Sequence, residues 1–379
     1  MRKILRLPRL LTGVLATGML LLAIRTVGVP APEVVENRRL AELPPAAGLL
    51  RNFSAWRSGV DAWLADRFPA RQHLIGALNY LRYKLGYSGI SRVIVGRDDW
   101  LFYDDGSHLS QVRPASISNA DVDAWVHELK ARSELLRASG IPYLVLAAPV
   151  KESLYRERVP GYLTAPGTTT VEILAAGVSA AGLDNFVDLH APLRRAKAAG
   201  VPIYSPHDTH WTGEGAYAGY VELMRALAAR GVPVRVLPRS AFHAPAPGSM
   251  PVPQDLAFML GVSSFIRPEY PLLVADAAPP RITWLGLGRD WTADRVIDTG
   301  ASGPVLLLTG DSFTNAWLPL LERSFSRIVF SHHQNGFFRP DLIARFRPSA
   351  VVLEVIESGM RHAMPPLAMP ADAAPQARS

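Results

Sequence analysis

The 379-residue sequence predicts an α/β fold, a three-layer sandwich with a mostly parallel sheet between helices, preceded by an N-terminal membrane anchor helix. Three observations carry this. Short, predominantly apolar runs at residues 142–148, 305–309 and 350–355, with Thr309 and Glu354 as polar exceptions, mark strands buried on both faces. Segments of helical apolar spacing, such as 119–139 and 213–230, alternate with them. The third is an apolar run at residues 10–24 behind a basic flank.

In chain order, Arg2, Lys3, Arg6 and Arg9 precede that run, the layout of a charged n-region and an h-region. Basic flanks stay in the cytoplasm, so the remainder is expected to be exported into the periplasm. No good small-x-small cleavage site is found, and Pro30 and Pro32 crowd the only stretch for one. Residues 1–29 are therefore expected to be an uncleaved signal anchor in the inner membrane, with a cleaved signal peptide as the alternative. Residues 30–90 come next as a Pro/Ala-rich linker and two membrane-proximal helices. Phe53, Trp56, Val60, Trp63, Leu64 and Phe68 space the first, and Leu74, Leu78, Leu81 and Leu85 the second.

Residues 91–358 are expected to form the catalytic domain. It opens with strand-like 93–96, an Asp98-Asp99 turn, and Trp100-Leu101-Phe102-Tyr103. Helices at 119–139, 170–181, 213–230, 315–325 and 340–345 alternate with strands at 142–148, 186–189, 234–237, 305–309, 327–330 and 350–355. Residues 240–300 lose this rhythm and are expected to be an irregular insertion. Residues 359–379, rich in Ala and Pro, are expected to be a disordered tail.

Composition excludes several function classes. There is no cysteine, hence no disulfide framework, thiol nucleophile or Cys-ligated metal. The formal charge is +7, but five basic residues (Arg2, Lys3, Arg6, Arg9, Arg25) precede the first acidic one, Glu33. Without them the rest of the chain carries +2, which argues against a nucleic-acid partner.

The chemistry centres on VLLLTGDSFTNAWLPLL, residues 305–321. A buried strand runs into Gly310-Asp311-Ser312, and helical spacing begins directly afterwards. Ligands of open α/β sheets bind at the carboxyl ends of strands. A serine there, at a helix N-terminus, lies beside backbone N–H groups that favour an oxyanion. Two roles are open for Ser312: nucleophile, or N-cap of the helix. A nucleophilic serine needs a base, and HDTHWTGEGA supplies Asp208 and His210 one residue apart, on one side of an extended loop. Thr212 is placed to cap the helix that begins at Gly213. Against this triad stand a metal site of His207 and His210, with His332 and His333 as further ligands, and a purely structural role in which the loop histidines satisfy backbone groups. The triad is preferred, so neither a resident metal nor a cofactor is expected. Lys151, after the 142–148 strand, is a candidate ligand for an acidic sugar or a surface residue. Gln334 and Asn335 are candidate oxyanion amides or turn residues, and Tyr103 and Trp211 candidate stacking platforms or core residues.

The segments ENRRLAELP, RVIVGRDDWLFY, APVKESLY, DTHWTGEGA, LLLTGDSF and VVLEVIES together resemble the alginate O-acetyltransferases of bacterial exopolysaccharide assembly. That family is a branch of the SGNH/GDSL hydrolase fold in which Asp-x-His-Trp precedes Gly-Asp-Ser. The resemblance covers most of the chain. It implies triad roles for Asp208, His210 and Ser312, a polysaccharide substrate, and a membrane-bound acyltransferase partner that supplies acetyl groups. The C-terminal carbohydrate-binding module of some relatives is not expected in this chain. An acetyl-polysaccharide esterase and a non-catalytic polysaccharide-binding scaffold are the rival readings.

Overall fold

The structure, a computed structural model, describes residues 41–67 and 71–366. They fall in two compact units, one ending at Leu81 and the other beginning at Arg82. The expected anchor over residues 1–29 lies outside the described residues. Among the described residues no helix is long and apolar enough to cross a membrane.

The first unit is helical. Helix α1 (Ala47–Arg51) is followed by α2 (Phe53–Arg67) and by α3 (Arg71–Lys84), which runs into the second unit. The two helices predicted from the leucine and aromatic spacing are α2 and α3.

The second unit opens with a hairpin of β1 (Val93–Val95) and β2 (Leu101–Tyr103), paired antiparallel. Asp98 and Asp99 both have positive φ at its turn, the backbone that a tight hairpin requires. Then come α4 (Asn119–Arg137), β3 (Tyr143–Ala148), the short α5 (Lys151–Leu154), α6 (Thr170–Ala180), β4 (Phe186–Asp188), α7 (His190–Ala198) and α8 (Gly213–Ala228). Capping boxes start two of these helices: Ser118 with Asp121 for α4, and Thr169 with Glu172 for α6.

Residues 240–300, expected to be irregular throughout, are only partly so. A two-stranded pair, β5 (Phe242–His243) and β6 (Val274–Ala275), flanks the one-turn helix α9 (Asp255–Met259). Beyond them β7 (Arg281–Trp284) and β8 (Arg295–Asp298) join the main sheet as antiparallel strands. The chain closes with β9 (Val305–Gly310), α10 (Leu318–Leu321), β10 (Arg327–His332), α11 (Pro340–Phe346) and β11 (Ala350–Ile356).

The seven-stranded sheet has the order β4-β3-β11-β9-β10-β8-β7. Its first five strands are parallel; β8 and β7 make it mixed. Alternation along the strands divides the core between two faces. Leu144, Leu146, Leu306, Leu308, Ile328 and Phe330 pack on one side with Tyr220, Leu223 and Leu227 of α8. Tyr143, Val145, Leu307, Val329, Val351 and Leu353 pack on the other with Trp125 and Leu129 of α4 and Leu174 of α6.

Two expectations need correction. Residues 234–237 form no strand; side chains of α8 take up the backbone of Leu237 instead, Tyr217 Oη donating to its carbonyl at 3.0 Å and its N–H donating to Tyr220 Oη at 3.2 Å. Nor is the beginning of the tail disordered. Met360 and Ala363 are fully buried in the second core. Trp125 Nε1 donates to the Met360 carbonyl at 2.9 Å, and Arg132 donates to the carbonyls of Ala363 and Pro365. A buried arginine thus takes up carbonyls that composition alone left without partners.

Candidate active site

The carboxyl ends of β3, β4, β9, β10 and β11 share one edge of the sheet, as parallel strands must. At that edge β9 ends in Gly310, where a Cβ would stand 2.4 Å from Thr314 Cγ2, so only glycine allows the sharp exit. Asp311 then turns the chain. Its Oδ1 accepts from Phe313 N at 2.9 Å and its Oδ2 from Ile356 N at 2.8 Å, tying the turn to β11. Asp311, not Ser312, is therefore the N-cap, and the serine hydroxyl is left for other work. A 3-10 turn, Ser312–Ala316, comes next and leads into the single turn of α10. The long helix expected here is absent, because Pro319 and the tight Thr314–Trp317 turns break it into short pieces. The macrodipole argument for an oxyanion weakens accordingly.

Ser312 Oγ lies 2.8 Å from His210 Nε2. His210 Nδ1 lies 2.9 Å from Asp208 Oδ1, which also accepts the His210 backbone N–H at 2.8 Å. The pair sits in a bend rather than the expected extended loop, yet the i, i+2 spacing still brings both groups to one side. Asp208, almost fully buried, holds the Nδ1 proton and leaves Nε2 to accept from the serine. Burial by itself would lower the His210 pKa. The hydrogen bond with Asp208 and the charges of Asp208, Asp255 and Asp311 outweigh burial and raise it above its ordinary value. Burial would raise Asp208, and its bond to His210 overcomes this to hold it below the usual carboxylate range.

The loop is built to be rigid. Thr212 caps α8 as expected, accepting from Gly215 N at 3.1 Å and donating to the Pro202 carbonyl at 2.6 Å. Gly215 admits this approach; a Cβ there would come within 2.2 Å of the Ile203 carbonyl oxygen. Lys151 is not a surface residue. It is 1% exposed, and its Nζ donates to the carbonyls of Ser205, Pro206 and Asp208 at 3.1, 3.3 and 2.7 Å. Burial lowers its pKa to about 8 against the nearby carboxylates. Its ammonium is thus spent on holding the loop from inside and is not presented to a sugar. From outside, Leu101 N donates to the Pro206 carbonyl at 2.9 Å.

The other candidates stand elsewhere. Asn335 Nδ2 donates to the Thr292 carbonyl at 3.0 Å and to Asp294 Oδ1 at 2.8 Å, which occupies both of its N–H groups. Gln334 is exposed on the same turn, and neither amide lines the cavity at Ser312. Tyr103 is half-buried edge-on to His108 and is likewise remote from that cavity. Trp211 borders the cavity but is 1% exposed, with Nε1 donating to the Phe313 carbonyl at 3.1 Å, a core residue and not an open platform.

The histidine metal set does not converge. His207 Nε2 is 3.1 Å from Tyr83 Oη, and burial lowers its pKa to about 4. Among the described residues, the group whose ligand atoms lie within 4.8 Å of one another is Asp208, His210 and Asp255. Two of these are the pair facing Ser312, and Asp208 already spends both oxygens on N–H donors.

Ser312 and His210 open into a cavity of about 570 Å³, walled by Pro251, Val252, Phe258, Leu272, Phe313 and Trp291. Most of that wall comes from residues 250–291, where sequence reasoning saw only lost rhythm. The signal it passed over was the aromatic content of this Pro-rich stretch, which holds Phe258, Phe265, Tyr270, Trp284 and Trp291.

Comparison with known proteins decides the family. The family described as SGNH hydrolase-like domain, acetyltransferase AlgX matches residues 93–342. The chain belongs to the AlgX acetyltransferase family. Within that relationship, the probable alginate O-acetylase AlgJ of Pseudomonas fluorescens is 24% identical over 292 residues, 74% of this chain and 69% of that protein. The probable alginate O-acetylase AlgJ of Pseudomonas aeruginosa is 31% identical over 157 residues, 41% and 38% of the two chains. Among solved structures, Bacillus cereus PatB1 superposes with a TM-score of 0.51 at 13% identity, over 71% of this chain and 96% of that one. That likeness shows a shared fold.

Proposed function

We propose that this AlgX-family chain is an O-acetyltransferase that moves acetyl groups onto hydroxyls of an exported, alginate-like polysaccharide through an acetyl-Ser312 intermediate. The observation that carries the reading is the unbroken line Asp208–His210–Ser312, with bonds of 2.9 and 2.8 Å, opening into a walled cavity.

In the first half-reaction Ser312 Oγ attacks the acetyl carbonyl carbon while its proton passes to His210 Nε2. The resulting imidazolium is held by Asp208. The Ser312 backbone N–H is assigned to receive the oxyanion. His210 then returns the proton to the leaving group of the donor, and acetyl remains on Ser312. In the second half a sugar hydroxyl gives its proton to His210 and attacks the acetyl carbon. Ser312 leaves and regains the proton. Pro251, Val252, Phe258 and Leu272 border the site with apolar surface, and an acceptor bound against them would keep water from the acetyl group and favour transfer over hydrolysis.

The remaining assignments rest on the sequence resemblance and on the N-terminal residue pattern. A polysaccharide of the alginate type is the acceptor, and a membrane-bound acyltransferase supplies the acetyl group. The basic flank and apolar run of residues 2–24 hold the chain at the inner membrane with the catalytic unit in the periplasm.

The test is mass spectrometry of the protein after brief exposure to an activated acetyl ester. Acetyl is expected on Ser312 and absent from Ser312→Ala, whose turnover should fall on the order of 10³-fold or more. A folded Ser312→Ala with near-normal turnover would remove the mechanism.

A further inference from the structure

The segment that walls the cavity also reaches the base. Helix α9 begins at Asp255, whose backbone N–H donates to Asp208 Oδ2 at 2.7 Å. In return Asp255 Oδ1 accepts from Thr209 N at 2.7 Å, and Ala257 N donates to the His207 carbonyl at 3.2 Å. Three hydrogen bonds thus strap residues 255–257 across the loop that carries His210. The second carboxylate oxygen is not spent on the strap: Asp255 Oδ2 lies 3.7 Å from His210 Nδ1. His210 therefore faces two carboxylates, Asp208 from its own loop and Asp255 from a segment outside the regular alternation.

We propose that Asp255 is a positioning residue for proton transfer at His210, fixing the loop through Oδ1 and stabilising the imidazolium through the charge at Oδ2. This rests on the Ser312–His210–Asp208 mechanism. The physical argument is differential. A carboxylate 3.7 Å from a neutral ring gains little, but gains considerably once the ring carries a proton, as in both half-reactions. The charged groups that bear on this point are few. Asp208 accepts from Nδ1, and Asp311 stands behind Ser312. Lys151 meets the loop through its carbonyls, and His207 points away to Tyr83. Asp255 feels the cost of this arrangement: burial, then the Asp208 charge, raise its pKa, while the His210 cation lowers it. Its charge is therefore steadiest when the imidazolium is present.

The test compares Asp255→Asn with Asp255→Ala in the full chain. The carboxamide keeps an oxygen for Thr209 N–H but removes the charge. Asp255→Asn should fold normally and turn over roughly three- to tenfold more slowly at its plateau. Its acid limb of kcat/KM should move down by about half to one pH unit, because a nearby anion no longer favours His210 protonation. Asp255→Ala should lose more, since the strap goes as well. A second readout that needs no turnover is NMR titration of His210 in the Ser312→Ala background, where the same downward movement is expected on adding Asp255→Asn. If Asp255→Asn leaves both the limb and the titration where they were, the inference is overturned. If instead Ser312→Ala retains turnover, the mechanism beneath it fails, which is a separate result.

Discussion

The molecule contains two Asp-x-His pairs with the same local bonding, one at the junction of β4 and α7 and one in a loop bend, and only the second opens to the cavity at Ser312. In VDLHAPL, Asp188 Oδ1 accepts from the His190 backbone N at 2.9 Å and lies 2.6 Å from His190 Nδ1. In HDTHWTG, Asp208 does the same for His210 at 2.8 and 2.9 Å. Each histidine even has a serine at Nε2, Ser153 at 3.2 Å and Ser312 at 2.8 Å. The difference lies in what else reaches that nitrogen. Glu357 Oε2 stands 3.2 Å from His190 Nε2, and accepts the Ser153 hydroxyl at 2.7 Å and Val150 N at 3.1 Å. With a carboxylate at both ring nitrogens, His190 is held as a cation. Burial opposes this, yet its bonds and charges with Asp188 and Glu357 raise its pKa to about 10. A ring that never gives up its proton is no base. His190 is 3% exposed, against 28% for His210. An Asp-x-His pair thus becomes a candidate base when Nε2 is left to a hydroxyl alone and the ring edge faces an open cavity. Otherwise it is a clamp, here binding the ends of β3, β4 and β11.

The most severe break of this comparison is at the two serines. Ser153→Ala should keep turnover within about threefold of the parent, where Ser312→Ala loses on the order of 10³-fold or more. Equal losses, measured with the same acetyl ester, would erase the distinction between base and clamp.

Next comes stability. His190→Leu strands Asp188 and Glu357 without their cation and should cost about 3–5 kcal/mol in urea unfolding. His210→Ala should cost roughly half of that or less while abolishing turnover. The same clamp has a pH signature. The folded pKa of His190, about 10, stands above its unfolded value of 6.5. Its contribution is therefore fully present below about pH 6.5 and is lost as pH rises towards 10. Unfolding midpoints of the parent should fall over that interval relative to those of His190→Leu. Parallel curves would mean that His190 is not held charged.

The smallest effect is expected at His207, the neighbour that spacing alone offers as a metal ligand. His207→Ala should lower turnover only a few-fold, through loss of its Tyr83 contact, and chelators should leave the parent unchanged. Chelator sensitivity together with equal losses at His207 and His210 would return the metal reading.

Much of this was legible in the residues. Near-continuous apolar runs announce the parallel strands, since burial on both faces disfavours polar side chains, with the buried Glu354 of β11 as the exception. Gly310-Asp311-Ser312 after such a run, and Asp208 with His210 before a capped helix, were visible as local chemistry. The same local logic applies to Asp188 and His190, so spacing alone does not separate base from clamp. That decision rests on Glu357, 167 residues from His190 along the chain. Gln334 and Asn335 looked equally suited to an oxyanion until Asp294 and the Thr292 carbonyl claimed the Asn335 amide.

Local pattern is enough to specify the parallel strands, the capped helices and the order His210 before Ser312, because periodicity and capping are short-range matters of sterics and hydrogen bonding; the antiparallel β7 and β8 escape it. Only the tertiary structure decided which serine meets which histidine. It also buried Lys151 beneath the loop, brought Asp255 to His210 and turned an irregular segment into a cavity wall. Each of these joins groups that are far apart in sequence. Their burial, charge and hydrogen bonds arise only when the sheet edge brings them together.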